Sequence, residues 1–204
     1  MTDSKSLAPL NIQPVTLCGR VVRLEPLAER HVPDLTAAGS DESVWRYMVY
    51  GNIDSEEKML ALVRRLLESQ RQGTDLPFAV IHQASGRAIG STRYMEIRAK
   101  HRGLEIGGTW YAPAHQRTAA NTECKLLLLA HAFEALGCIR VQIKTDVRNE
   151  RSQRAIERLG AVREGVLRNH VILPDGVVRH TVYYSILDSE WPGVKARLLA
   201  MLER

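Results

Sequence analysis

Glycine is missing where a phosphate-binding chain would need it. The stretch "PAHQRTAANTEC" (113–124) leads into a long apolar segment without one. No Walker-type loop with its lysine, no G-x-S-x-G elbow and no dinucleotide fingerprint occurs, so ATP hydrolysis, serine hydrolysis and hydride transfer lose ground. Cysteine is scarce: Cys18, Cys124 and Cys138 are odd in number and form no C-x-x-C pair. That argues against a disulfide framework or a thiolate zinc site and suits a reducing compartment. The histidines at 101, 115, 131, 170 and 180 form neither H-x-x-x-H nor H-E-x-x-H, and no metal is expected. No apolar run reaches ~18 residues, and no basic region followed by an apolar core opens the chain. The expectation is a cytoplasmic protein with no membrane partner.

What is present fits one globular domain. The 204 residues are 45% hydrophobic and 25% charged, enough to remove roughly 70% of the unfolded surface on folding. The 28 Lys+Arg against 23 Asp+Glu give +5. This favours anionic ligands weakly, and the scattered arginines form no block that would specify nucleic acid.

Periodicity predicts strands at 19–27, 76–82, 86–97, 103–112 and 138–147, and two more around the "LPDG" turn at 173–176. Short helices are expected over 27–39 and around Trp45–Met48, and a longer one begins at Ser55. Helix 119–136 would bury Leu126, Leu129, Ala130, Phe133 and Leu136, with Gly137 ending it. Asn149 caps another helix, and Ser189 can cap the last. Residues 1–18 read as an arm, 19–188 as the domain, and 189–204 as a helix packed on it. The fold class is α+β, around a mostly antiparallel sheet with helices on both faces.

Several positions can carry chemistry. Thr118 or Asn121 can cap the helix at 119, whose first amides lack intrahelical acceptors and could meet phosphate, with Arg117 beside them. Gly107-Gly108 reads as a bulge or a close backbone approach. Asn149 has cap duty, and the Ser152 hydroxyl lies one turn on. His170 and His180 could approach each other across the late hairpin. Glu105 precedes the bulge, where a plain solvated strand residue is the more ordinary reading. Cys124 belongs inside a packed helix face.

Five motifs in order resemble one family: "E-x-G-x-x-W-Y-x-P", "T-E", "H-A-F-E-A-L-G", "N-x-x-S-x-x-A-I-E-R-L-G-A" and "E-G-V-L-R". Together they resemble the GCN5-related N-acetyltransferase (GNAT) superfamily, in particular its branch of ribosomal-protein N-terminal acetyltransferases. The resemblance implies a sheet that splays beside Gly107–Trp110, away from Val141–Thr145, and direct acetyl transfer from acetyl-CoA to a primary amine without metal. Its pyrophosphate loop falls on Gln116, Arg117, Thr118, Ala119, Ala120 and Asn121, followed by Thr122, with Ala119 and Asn121 at the family's glycine positions. Backbone groups of Thr109, Trp110 and Tyr111 would hold the pantetheine arm, with Asn149 touching it and Ser152 returning a proton to the thiolate. Ile156 replaces the tyrosine acid of many members. Val171 stands where the ribosomal branch has an acidic residue, which leaves Glu105, His170 or a water relay as base. Asp146, Arg168, Arg179 and Tyr184 are acceptor-binding candidates, for a small amine or a peptide N-terminus, in a monomer or homodimer. The rivals are a binding or sensory module that lost turnover and a nucleic-acid-associated basic protein.

Overall fold

The computed structural model describes residues 9–203. Its strands are β1 (Leu17–Cys18), β2 (Val22–Pro26), β3 (Leu76–His82), β4 (Ala88–Arg98), β5 (Gly103–Tyr111), β6 (Arg140–Asp146), β7 (Val162–Ile172) and β8 (Val178–Leu187). They form one sheet in the order β1-β2-β3-β4-β5-β6-β8-β7. Every neighbouring pair is antiparallel except β5 and β6. The helices are α1 (Val32–Ala38), α2 (Glu56–Arg71), α3 (Ala119–Ala130), α4 (Glu150–Leu159) and α5 (Trp191–Leu202). The expected α+β class with helices on both faces is what the chain adopts.

Strand alternation sorts the core into two layers. One face of β2–β6 buries Leu24, Phe78, Tyr94, Leu104 and Ile106 against Leu128 and Leu129 of α3 and Leu198 of α5. Phe78 and Tyr94 meet edge to face at 5.7 Å and 88°, a geometry worth ~0.5–1.5 kcal/mol beyond area burial. The other face packs Ala79, Ile81, Ala88 and Trp110 under Leu35 of α1 and Met59, Leu62 and Val63 of α2. Those helices cover only part of this second face, so the surface of β5, β6 and β8 beyond them keeps its polar side chains.

Local signals explain most boundaries. Ser55 caps α2 by accepting from Lys58 N at 3.2 Å, and Gly160 ends α4 in the left-handed region at φ 105°. Four expectations shift. Residues 9–18 are not a loose arm, because Leu10 is buried in the first core layer and Leu17–Cys18 pairs with β2; residues 1–8 lie outside the described part. The α-helical ladder of α3 stops at Ala130 and a π-type turn covers His131–Ala135. There Tyr94 Oη donates to Leu128 O at 2.6 Å, and Leu136 N reaches back five residues to His131 O. Cys124 is buried as expected, but Leu128 joins it on the buried face of α3, while Leu126, Ala130 and Leu136 are only partly buried. Finally, Glu190 takes the cap position of α5 instead of Ser189.

Candidate active site

The site begins where β5 and β6 part. Their parallel ladder holds only Gly103↔Arg140, Leu104↔Val141 and Glu105↔Gln142. Beyond it β5 stays with β4 as far as Tyr111, and β6 stays with β8 as far as Asp146. The cause lies in the double glycine. Pairing with β4 steps from Arg93↔Gly107 to Ser91↔Trp110, so β5 carries one extra residue, and Gly108 sits at φ 57°. Such a bulge bends its strand and sharpens the twist. Past the bulge Ala112 N donates to Ile89 O at 2.8 Å on the β4 side. Alternation then turns the amide groups of Thr109 and Tyr111 toward the open edge, and Trp110's toward β4. Tyr111 O is met on that edge by Gln116 Nε2 at 3.0 Å.

The start of α3 closes the wide end of the opening. Thr118, not Asn121, is its cap, accepting from Ala120 N at 3.2 Å and donating to His115 O at 2.9 Å. An α-helix beginning at Ala119 commits the Thr122 amide to Thr118 O, so Thr122 drops out of the phosphate-facing set. The amides of Ala119 and Asn121 remain without intrahelical acceptors. Arg117 is exposed and holds φ 61°, a left-handed conformation that disfavours non-glycine residues by roughly 1–2 kcal/mol. Arg151, which sequence reasoning missed, donates to Gln116 Oε1 at 2.8 Å and adds a second guanidinium.

α4 lines the opposite wall. Asn149 Oδ1 accepts from Ser152 N at 3.1 Å, the expected cap, and leaves its amide nitrogen for other contacts. Ser152 is half-buried and Ile156 is buried.

Below the splay lies a connected polar face. Glu105 is 1% exposed. Its Oε2 accepts from Gln142 Nε2 at 2.8 Å and faces Lys144 Nζ at 3.1 Å. Burial pushes its carboxyl above the ordinary glutamate value, despite the Lys144 charge and the Gln142 bond. Gly107 gives the other oxygen room, since a Cβ there would stand 2.9 Å from Glu105 Oε1 and 2.6 Å from Met95 Sδ. Lys144 lies over the Tyr183 ring at 5.7 Å. His170 bonds Thr181 Oγ1 through Nδ1 at 3.0 Å and Tyr183 Oη through Nε2 at 3.5 Å. Burial and the charges of Lys144 and Arg179 hold this imidazole below its ordinary value, so it is neutral at pH 7. Glu105 and His170 thus share one face, linked by Lys144 and Tyr183. Neither Lys144 nor Gln142 carried a motif; strand alternation from Glu105's partner was the only available signal.

The acceptor candidates separate. Arg179 is buried and donates to Thr181 Oγ1 at 3.1 Å and to Tyr47 O at 3.4 Å. Tyr184 belongs to the opposite face, where its hydroxyl donates to Glu157 Oε1 at 2.9 Å, so it leaves the acceptor set. Asp146 is held by Arg148 at 2.6 Å; burial opposes its ionisation, but the bonds to Arg148 outweigh that and lower its carboxyl below the ordinary value, so it offers no free charge to an ammonium. Arg168 is exposed on β7. His180 faces away from His170 and accepts from Asn169 N at 2.8 Å. The Trp110 side chain packs on Trp45 at 4.8 Å and its amide groups face β4, so it leaves the cofactor set, whereas Tyr111, whose side chain sits in the core, could serve a ligand only through backbone.

Two cavities lie outside this polar face, whose residues line neither. One of about 460 Å³ lies between residues 42–52 and the β7–β8 turn, with Trp45, Met48, Leu173 and Pro174 inside and Glu42 and Asp175 as its carboxylates. The other, about 320 Å³, is lined by Tyr47, Arg46, Arg148, Asn149 and Arg151. Among the described residues no group of three or more His, Cys, Asp or Glu side chains could hold a metal ion. No helix of the described part is long and apolar enough to cross a membrane.

The acetyltransferase (GNAT) domain family matches residues 22–162. The crystal structure of a GCN5-related N-acetyltransferase from Brucella melitensis is 32% identical, with TM-score 0.91, over 97% of this chain and 90% of that one. A "putative acetyltransferase" from T. thermophilus is 43% identical, with TM-score 0.86, over 95% of this chain and 100% of that one. A Bacillus subtilis (strain 168) protein named "Putative ribosomal N-acetyltransferase YdaF" is 37% identical over 54% of this chain and 59% of its own length. The chain belongs to the GNAT acetyltransferase family.

Proposed function

We propose that this protein moves the acetyl group of acetyl-CoA onto the primary amine of a small molecule or a peptide N-terminus. The observation that carries this is the splay beyond Glu105↔Gln142, with unpaired β5 edge groups on one side and Asn149 and Ser152 on the other. The residues present fit the cofactor: the Ala119 and Asn121 amides with Arg117 and Arg151 suit its phosphates, and the Thr109 and Tyr111 edge suits an amide-bearing arm. When bound, acetyl-CoA supplies an activated acyl thioester. The protein's own groups do the rest. The Thr109 amide faces the opening and can donate to a developing oxyanion. Glu105, buried beside Gly107, accepts the ammonium proton, directly or through a water relay, and neutral His170 on the same face is the alternative. Ser152 Oγ would donate a proton to the leaving sulfur.

For the acceptor, the larger cavity combines apolar walls with two carboxylates, Glu42 and Asp175, against one cation, Arg46, a balance that leaves negative charge for an ammonium on an apolar body. The likeness to a protein named as a ribosomal N-acetyltransferase keeps peptide N-termini in the set, and Val171 at the branch's acidic position counts against that choice. The test is thiol release from acetyl-CoA across amino acids, polyamines, aminoglycosides and short peptides. Turnover with at least one amine is expected. Tight cofactor binding with no turnover on any member would instead favour a ligand-sensing protein.

A further inference from the structure

The most unusual charge in the molecule lies outside the groups just assigned. Lys125 is on α3, two turns inside its N-terminus, and is 5% exposed. Its Nζ donates to Thr109 Oγ1 at 2.9 Å, and Thr109 Oγ1 in turn meets Thr92 Oγ1 at 2.7 Å. An ammonium has three donors. Here one is used, and among the described residues no carboxylate lies within ion-pair distance of it. Burial accordingly pushes the amine below the ordinary lysine value. The fold does not require a lysine there, since a methionine would fill the same length without a buried charge.

Position gives the reason for keeping it. Thr109 belongs to the bulged segment of β5 that has no ladder partner on the β6 side. At 1.5 Å per residue, Lys125 lies roughly 6–9 Å along α3 from the bare amides of Asn121 and Ala119. That is one arm-segment inward from the phosphate-facing end, on a strand whose β6 side is open while the Thr109 hydroxyl turns to Thr92 of β4. We propose that Lys125, positioned by Thr109, donates a hydrogen bond to a carbonyl oxygen of the cofactor's pantetheine arm and so recognises the acyl carrier by its arm as well as its phosphates. This rests on the acetyl-CoA reading above and adds a residue to it.

The test separates function from packing. Calorimetry with wild-type protein and Lys125→Met compares acetyl-CoA with ADP, which carries the pyrophosphate but no arm. Scanning calorimetry gives the ligand-free Tm of both proteins. The variant should bind acetyl-CoA roughly tenfold to a hundredfold more weakly, as expected for losing a charged donor. Its ADP affinity should be unchanged and its Tm equal to or above wild type. Unchanged acetyl-CoA affinity overturns the role. So does an equal loss for both ligands, or a loss accompanied by a lower Tm, since each marks Lys125 as structural. Should the methionine variant not fold, Lys125→Gln replaces it: weakened acetyl-CoA binding with unchanged ADP binding supports the role, and wild-type affinity for both overturns it. Wild-type protein that binds ADP but not acetyl-CoA would overturn the acetyl-CoA reading and this inference together.

Discussion

Lys144 Nζ stands 3.1 Å from Glu105 Oε2, joining β6 to β5 just past the last pair of their ladder. The pair leaves Glu105 ionisable yet deprived of water, and burial wins over the lysine in setting the direction of its shift. The acidic limb of the rate–pH profile should therefore have its midpoint above the ordinary 4.5. Glu105→Gln should remove that limb and lower kcat/KM by ~10²–10⁴, the usual worth of a positioned base. Acetyl-CoA affinity, read by calorimetry, should stay near wild type. A limb that survives in the variant transfers the role to His170.

Arg117 combines two opposing effects that one substitution separates. Its φ of 61° is disfavoured for arginine and ordinary for glycine. Arg117→Gly should therefore leave the ligand-free protein as stable as wild type, or up to about 1 kcal/mol more stable. The same change removes a cation from the mouth of α3, so acetyl-CoA should bind more weakly, and the deficit should shrink as salt is added. Denaturant titration and calorimetry at two salt concentrations read both effects.

Glu123 fastens α3 to the opposite end of the sheet. One carboxylate oxygen accepts from Arg20 N at 2.8 Å, and the other from Val21 N and Val22 N at 2.7 Å each. Gly19 is required beside it, since any Cβ there would overlap the carboxylate. Glu123→Ala strands these amides and should cost about 3 kcal/mol or more. For a chain of this size that lowers Tm by roughly 6–12 °C. Gly19→Ala should destabilise through the same carboxylate.

Acid should weaken the fold through His31. Its Nδ1 accepts from Ala28 N at 3.1 Å and its Nε2 faces Glu25 Oε2 at 3.2 Å, an arrangement of the neutral ring. Burial depresses its pKa below 6.5, opposed by Glu25 and Asp34 and aided by Arg30. Above 6.5 neither state holds the proton. As pH falls below that value the unfolded chain takes it up first, so stability declines until the folded-state pKa is passed. His115, His131 and His170 are depressed in the same sense. Tm should therefore drop between about pH 7.5 and 5.5, and His31→Gln should make that drop shallower.

Local chemistry made much of this legible in the sequence. Two adjacent glycines in a strand announced the bulge, and Thr118, Asn149 and Ser55 announced their helices. Strand alternation in the late hairpin puts Arg179, Thr181 and Tyr183 on one face. The same alternation puts Tyr184 on the other, beside Glu157, which a list of polar hairpin residues overlooks. What stayed hidden was contact between distant segments. Lys144 and Gln142 gain meaning only when β6 lies beside β5, and Arg151 only when α4 approaches Gln116. The π-type turn at His131 depends on a tyrosine thirty-four positions from the carbonyl it claims. No periodicity in α3 itself could report that.

The three-pair ladder between β5 and β6 has a mechanical consequence. It makes the sheet two wings, β1 to β5 and β6 to β8, sharing a short seam, with α3 and α5 spanning the gap on one side only. A ligand arm lying along the open edges would act as a missing strand, offering amide groups where the chain has none. Loading would then complete the sheet, and opening of the wings would be opposed by the ligand in proportion to its binding free energy. Amide exchange in Thr109–Tyr111 and Ile143–Asp146 would slow together on loading, as though a ninth strand had been laid between them.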